Sequence, residues 1–214
     1  MWPKNNIDHS LTCKQGGYVI YRHDRIRDVE AAIMKDVCRD IKIEPKLIPV
    51  EEDYILNTGA NRAAEARLDI SARGVWSPFD RTFFDIRVSH PNCLSNGAKP
   101  MKKICEDNEK EKKAKYGQRV LNVEKATFTP LVFLTNGMMA EECSRFNKRI
   151  AQLIAVKRDE KYADVIRHIR TRLRFAFLKS TLIAVRGFRG NKGKEQESQI
   201  SDISFNLIPH VSEP

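Results

Sequence analysis

The chain has 214 residues, a formal net charge of +10 at pH 7 and 41% hydrophobic residues. This apolar content is sufficient for a folded core, and no apolar run reaches the roughly 20 residues that a membrane span requires. The first residues contain no apolar stretch, and the five cysteines are scattered and odd in number. We therefore expect a protein with reduced thiols that is nuclear or cytoplasmic and not secreted, and that binds a polyanion.

The first half of the chain predicts one helix followed by strands. Apolar residues recur at helical spacing over residues 24–41, which predicts a helix there. Residues 47–48 are predicted to begin a short strand, and the polar residues 58–64 to form a loop. Residues 68–72 and 81–88 alternate apolar and polar side chains on either side of a segment with Gly, Ser and Pro. This pattern predicts a hairpin with a long turn.

The second half predicts one more strand between helices. Residues 92–100 are predicted to be a loop, and residues 101–124 a highly charged helix. Residues 127–135 form a continuous apolar run typical of a buried strand, and Pro130 within it favours a sheet edge or a bulge.

The remaining pattern completes the fold prediction. Two further helices are predicted over residues 139–157 and 162–186, followed by a tail rich in Gly, Lys and Glu that we expect to be mobile. Together the elements predict an α/β fold with a mixed sheet flanked by helices. The strands are too few and too hairpin-like for a dinucleotide-binding fold, and the sequence contains no glycine-rich phosphate motif.

Two acids stand in the strands of the predicted hairpin. Asp69 and Asp85 are both flanked by apolar residues, where a carboxylate is costly unless it is paired or binds a metal. Acids on neighbouring strands can converge to hold a hard divalent cation, and Arg87 lies on the same face as Asp85. This arrangement suggests metal-assisted phosphodiester hydrolysis. The alternative is that Asp69 with Arg67, and Asp85 with Arg87, form cross-strand ion pairs on a solvated face.

A run of charges in the predicted helix 101–124 adds a second pattern. Lys112 and Tyr116 are four residues apart and share one helical face, and Lys115 is adjacent to that face. The commoner explanation of such a run is a solvated helix with many ion pairs.

These motifs together resemble a known family. Asp69, then Asp85 within an apolar strand, then Lys112-x-x-Lys115-Tyr116 are similar to the restriction-like endonuclease domain of site-specific non-LTR retrotransposons, which belongs to the PD-(D/E)XK nuclease superfamily. Upstream, His9-x-x-x-Cys13 and residues 22–26 (RHDRI) resemble the end of the zinc-binding segment, and the Arg-His motif, that precede this nuclease. The similarity spans residues 9–189, and such chains also occur as stand-alone proteins related to mobile elements.

The resemblance implies a metal site. It implies that Asp69 and Asp85 are ligands of Mg²⁺ or Mn²⁺, and that Glu30 on the first helix is a candidate for a further acid. His9, Cys13 and His23 have the chemistry of zinc ligands, but a structural zinc site usually needs four, and the family's upstream cysteine pair is absent. We therefore expect these three residues to be a remnant without bound zinc.

The resemblance also implies which residues border the cleaved phosphate. Lys112, Lys115 and Tyr116 would approach it from the helix. Arg87 stands where the superfamily usually has lysine, and since arginine stays protonated it can clamp a phosphate but not act as a base. Leu68 replaces the usual proline, a second departure from the family pattern.

The C-terminal helix concentrates the positive charge. Residues 148–194 contain fourteen Lys and Arg and three acids, so the rest of the chain is close to neutral. The apolar residues of the last helix fall on one face, and its cations on others: Arg167, Arg170, Arg172, Arg174, Lys179 and Arg186. We expect these cations to contact DNA phosphates without reading sequence. A basic surface helix, or one that binds a membrane surface or calmodulin, is the alternative.

The sequence thus predicts a PD-(D/E)XK-like fold with a basic helical extension. The expected segments are a zinc-segment remnant (1–23), a nuclease-like core (24–137), a basic extension packed on it (138–190) and a mobile tail (191–214). The expected function is metal-dependent DNA cleavage, with DNA, and also RNA or a reverse transcriptase of the same element, as partners and no membrane. The alternatives are a catalytically inactive nucleic-acid-binding remnant and a basic interaction module unrelated to nucleic acid.

Overall fold

The fold is a four-stranded mixed sheet with helices on both faces. The computed structural model describes residues 7–51 and 55–186, so the tail predicted to be mobile lies outside the described residues. Its elements are α1 (Ile7–Thr12), α2 (Tyr18–Met34), β1 (Arg39–Ile43), β2 (Ile70–Arg73), β3 (Arg81–Ser89), α3 (Met101–Lys112), α4 (Gln118–Asn122), β4 (Thr127–Leu134), α5 (Glu141–Arg158) and α6 (Tyr162–Arg186). One π-helical turn, Lys113–Gly117, joins α3 to α4.

The strands follow the order β1-β2-β3-β4 in the sheet. β1 and β2, and β2 and β3, are antiparallel, whereas β3 and β4 are parallel. The predicted hairpin is confirmed in β2 and β3. The edge position predicted from Pro130 is also confirmed, since β4 is the last strand and Pro130 pairs with Asp85 of β3. A proline is tolerated there because it has no N–H to offer to a further strand.

The predicted first helix is wrong at both ends. α2 begins at Tyr18, after two glycines with positive φ, and ends at Met34. The chain then turns and enters β1, so Ile41 lies in a strand. Val37 and Ile41 still pack against the main core, so both positions are apolar. Their four-residue separation therefore continued the helical pattern in the sequence beyond the end of the helix. The short strand predicted at residues 47–48 is also wrong: Leu47 is buried, but only an isolated bridge between Lys46 and Arg67 forms there.

The sheet separates two apolar layers. On one face the main core packs α2, α5 and α6 through Ile26, Phe84, Phe133, Phe146 and Leu173, among others. On the other face Phe83 packs with Tyr116 and Val120 of the helical segment 101–122. Because side chains alternate along β3, Asp85 and Arg87 share the face of Phe83 and α3, as predicted.

The basic C-terminal helices belong to the main core. Phe146 and Ile150 of α5, and Leu173 and Phe177 of α6, pack in the same cluster as the sheet. The expected boundary at residue 23 falls inside α2, so the segment before it is continuous with the first core helix. None of the helices in the described residues has the length and apolar content to cross a membrane.

Candidate functional site

A local separation of β2 from β3 creates the site. The N–H of Asp69 still donates to the carbonyl of Phe84 in β3, at 3.1 Å, but the residue before it has left the strand: Leu68 donates its N–H to the carbonyl of Pro45 instead, at 3.2 Å. The backbone of Ile86 in β3 therefore loses its strand partner. The side chain of Asp69 replaces it, because Oδ2 of Asp69 accepts the N–H of Ile86 at 2.5 Å.

His23 of α2 occupies the same gap. Its Nε2 lies 3.3 Å from Oδ2 of Asp69 and 3.2 Å from the carbonyl oxygen of Ile86, and its Nδ1 lies 3.2 Å from Asp24. The hydrogen bond with Asp69 is the main cause that raises the pKa of His23 to about 9, against the opposing effect of burial. His23 therefore contributes a positive charge beside Asp69 at neutral pH.

Asp85 lies next to this gap and is paired with a lysine. Only 6% of Asp85 is exposed, and Nζ of Lys112, at the end of α3, lies 2.5 Å from its Oδ2. Burial raises the pKa of Asp85, and the nearby charge of Asp69 acts in the same direction while Lys112 opposes both. The two acids are thus close enough to influence each other, as the metal-site hypothesis requires.

We call Asp69, Asp85, Lys112 and His23 the strand-split cluster. It contains two carboxylates and two cationic groups, so its formal charges balance. Such compensation is what allows carboxylates to remain largely out of water.

The alternative ion pairs predicted from the sequence are wrong. Arg67 contacts Glu44 at 3.5 Å, and Arg87 contacts Glu111 of α3 at 2.6 Å. Arg87 does share a face with Asp85, but its guanidinium is held by the helix above the strand.

The π-helical turn positions the lysine–tyrosine motif. It begins directly after Lys112, and π turns inside α-helices are frequent at functional sites. Tyr116 is buried and packs against Phe128 in a tilted arrangement, with 5.9 Å between ring centroids. The ammonium groups of Lys112 and Lys115 lie 5.8 and 5.1 Å from the Tyr116 ring centroid. Tyr116 is therefore a buried support for both lysines, and of these three residues only Lys115 is exposed.

Glu30 lies apart from this cluster. It is fully buried between α2 and α5, where Nδ2 of Asn147 donates to Oε1 at 3.1 Å. Two helical turns, about 10 Å, separate Glu30 from His23 along α2. Burial raises the pKa of Glu30 to about 7. The structure thus does not place Glu30 with Asp69 and Asp85.

The suggested zinc remnant is not gathered around one point either. His23 is engaged with Asp69, whereas His9 and Cys13 belong to the α1 segment, where the N–H of Cys13 donates to the carbonyl of His9. Across residues 7–51 and 55–186, no group of three or more His, Cys, Asp or Glu side chains has an arrangement suited to a metal ion.

The basic face of α6 forms largely as predicted. Arg167, Arg170, Arg174 and Arg186 are exposed, and the face with Ile169 and Leu173 is buried. Arg172 and Lys179 are half-buried, and Arg172 acts electrostatically on Glu30. Arg167 pairs with Asp164 at 2.7 Å.

Arg119 is a structural residue that the sequence reasoning missed. Its side chain is completely buried and donates to the carbonyl oxygens of Asn61, Ala63 and Ile48, at 2.7, 2.9 and 2.9 Å. These bonds tie the segment between β1 and β2 to α4, and so stabilise the path that turns Leu68 away from β3. An arginine directly before the apolar pair Val120-Leu121 was the available signal.

A second missed contact ties α1 to the sheet. Nε2 of buried His90 lies 2.8 Å from Oδ1 of Asp8, and its Nδ1 lies 2.7 Å from Oγ1 of Thr135. The interaction with His90 lowers the pKa of Asp8. The contact fixes the segment that carries His9.

No family model matches the chain, and no curated protein matches it.

Proposed function

We propose that this chain is a metal-dependent DNA endonuclease of the PD-(D/E)XK type, derived from a non-LTR retrotransposon. The observation that carries the proposal is the convergence of Asp69, directly before β2, with Asp85 of β3 and Lys112 at the end of α3. From α2 to β4 the order is one helix, three strands, the helical segment 101–122 and a fourth strand. This order, with Asp85 on β3 and Asp69 directly before the antiparallel β2, is compatible with the nuclease fold that the sequence resembles.

The chemistry of the available donors fits Mg²⁺ or Mn²⁺. The carboxylates of Asp69 and Asp85 would hold the ion, and the carbonyl oxygen of Ile86, which faces the same gap, would add a third oxygen. Hard divalent cations prefer oxygen ligands, and Mg²⁺ usually retains several waters beside one or two carboxylates. When bound, the ion supplies a Lewis acid that activates water and neutralises developing charge.

The side chains of this protein would supply the remaining positive charge. Lys112 is held in place by Asp85 below it and by the ring of Tyr116 beside it, so it presents a positioned ammonium group to a phosphate oxygen. Lys115 extends from the same turn into solvent. Arg87, on exchanging Glu111 for the DNA backbone, would clamp a second phosphate oxygen. The exposed arginines of α6 would hold the rest of the backbone.

A second candidate is an inactive nucleic-acid-binding remnant. One observation favours it: Asp69 and Asp85 each already contact a cationic side chain, so His23 and Lys112 would compete with a metal ion. In this case the basic face of α6 would bind DNA, and the strand-split cluster would serve only stability.

Nicking of supercoiled plasmid in Mg²⁺ or Mn²⁺ separates the two functions. The informative variant is Asp85→Asn, which keeps the shape of the side chain and removes its charge. Asp107→Asn is the matched control, because Asp107 lies on α3 and pairs only with exposed lysines. An endonuclease requires nicking by the wild type and by Asp107→Asn, and its loss in Asp85→Asn. If the wild type shifts DNA in a gel without cutting it, the chain is a binding remnant.

A further inference from the structure

A cavity of about 200 Å³ lies between the first turns of α5, the middle of α6 and the turn after β4. It is on the sheet face that packs α2, α5 and α6, whereas Asp85 faces α3 on the other side. The cavity is therefore separate from the strand-split cluster.

Two arginines and a hydroxyl line the cavity without internal partners. Arg170 and Arg174 are one helical turn apart and exposed, and neither has an ion pair with a described acid. Like charges at this spacing repel, so a shared anion would stabilise both. Within residues 55–186, the neighbouring hydroxyl of Ser144 also lacks a hydrogen-bond partner. Arg167, one turn earlier, differs because it is paired with Asp164.

The remaining wall of the cavity combines apolar side chains with the amide of Asn147, whose buried Oδ1 has no hydrogen-bond partner among the described residues. Met139, Leu173 and Phe177 contribute to it, and Phe177 is held by Phe133, with ring centroids 5.5 Å apart. An anion alone would not need this wall. A ligand with an anionic group and a flat ring that carries polar edge atoms uses both the cations and this wall, and nucleotides have this composition.

We propose that this cavity binds one unstacked nucleotide of a single strand. Its phosphate lies between Arg170 and Arg174 and accepts a hydrogen bond from Ser144. Its base lies against Met139 and the edge of Phe177, beside the amide of Asn147. The volume suits a single base and excludes a base pair held in a duplex. The inference rests on the proposed function, because both take nucleic acid as the ligand. It adds a second site, away from the proposed cleavage site, for a nucleotide at the end of a strand or for one whose base is turned out of the stack.

The test is calorimetric titration with a 5′-phosphorylated thymidine trinucleotide. The double variant Arg170→Ala/Arg174→Ala should weaken binding at least about tenfold. Ser144→Phe should do the same by filling the cavity without changing the charge. The matched control is Lys148→Ala/Lys161→Ala, which removes two exposed charges outside the cavity, one on α5 and one directly before α6. It should weaken binding less than about threefold, since only long-range charge is lost.

Three results would overturn the proposal. The first is absence of trinucleotide binding by the wild type. The second is equal competition by inorganic phosphate, which would mean that the apolar wall is unused and the site takes a simple anion. The third is equally tight binding of a short blunt duplex, together with unchanged trinucleotide binding by Ser144→Phe. This would mean that the arginines contact only the phosphate backbone and that no base enters the cavity.

The outcome does not depend on cleavage. Asp85→Asn protein, titrated in EDTA, should bind the trinucleotide like the wild type, because Asp85 lies on the other sheet face. Trinucleotide binding by a wild type that does not nick DNA thus counts against the endonuclease alone. Nicking by a wild type that does not bind the trinucleotide counts against the cavity alone.

Discussion

Lys112 and Asp85 form an ion pair of 2.5 Å across two elements, with only 16% and 8% of their side chains exposed. Lys112 ends α3, and Asp85 stands in the middle of β3, so the pair fixes the helix end over the strand. Because both groups are largely removed from water, loss of one leaves the other uncompensated.

Replacement of Lys112 by methionine should therefore destabilise the fold. We expect Lys112→Met to lower the free energy of unfolding by about 2–3 kcal/mol, somewhat less than for a fully buried pair because Asp85 can take up a proton. Urea denaturation near pH 7 measures the free energy of unfolding of the variant and of the wild type. Lys110→Met is the matched control, since Lys110 is exposed on the same helix, and its effect should stay within about 0.5 kcal/mol. Equal effects of the two substitutions would show that the pair has no role in stability.

Mn²⁺ should stabilise the folded protein through the strand-split cluster. A ligand that binds only the native state at about 100 times its Kd adds about 2.7 kcal/mol. We expect a rise in Tm for the wild type, a larger one for Lys112→Met because the competing ammonium is gone, and none for Asp85→Asn. Asp107→Asn should behave like the wild type. A rise that persists in Asp85→Asn would place the bound ion elsewhere.

Glu30 should make stability depend on pH. Its pKa is about 7 in the fold against an ordinary value of 4.5, so the folded state keeps a proton that the unfolded state has lost. Stability is then complete below pH 4.5 and falls as pH rises to about 7, by at most about 3 kcal/mol.

The variant Glu30→Gln should lack this pH-dependent loss. Its denaturation midpoint should exceed that of the wild type at pH 8 and approach it at pH 4.5, with exposed Glu51→Gln as the control that follows the wild type. A parallel pH profile for Glu30→Gln and the wild type would show that Glu30 does not titrate in this range.

Arg119 should tolerate no substitution, including lysine. Lysine cannot reproduce the planar set of donors that reaches three carbonyl oxygens, so at least one buried acceptor loses its partner. We expect Arg119→Lys to cost about 1–3 kcal/mol in chemical denaturation. Arg145→Lys, at a mostly exposed position, should be close to neutral. If both arginines prove equally replaceable, the three carbonyl contacts do not hold the segment in solution.

DNA binding by α6 should depend steeply on salt. Each phosphate contact contributes about 0.9 to the slope of log affinity against log salt concentration, so Arg167→Ala/Arg186→Ala should reduce the slope by about 1–2. The control is Lys35→Ala/Lys42→Ala, which removes the same charge from exposed positions directly after α2 and within β1. A slope that is near zero in the wild type would favour a basic module unrelated to nucleic acid.

The sequence predicted an element correctly where the spacing of its apolar residues arises from the repeat of the strand or helix itself. The alternation in β2 and β3 and the missing N–H of Pro130 are properties of neighbouring residues, and both predictions were confirmed. The prediction of the first helix was wrong beyond Met34. Val37 and Ile41 are apolar and four residues apart because both pack against the core, not because they lie in one helix. A turn and a strand can bury two residues four apart just as a helix does.

The amino-acid sequence by itself determined that Asp85 had to find a compensating partner, because a carboxylate between Phe84 and Ile86 cannot remain unpaired in an apolar strand. It also determined that Lys112 and Tyr116 would lie side by side. Only the tertiary structure decided that Lys112 would be that partner, that His23 would face Asp69 and that Glu30 would be buried elsewhere. Those contacts join residues far apart in the chain, and their geometry follows from how α2 and α3 pack on opposite faces of the sheet where β2 leaves β3.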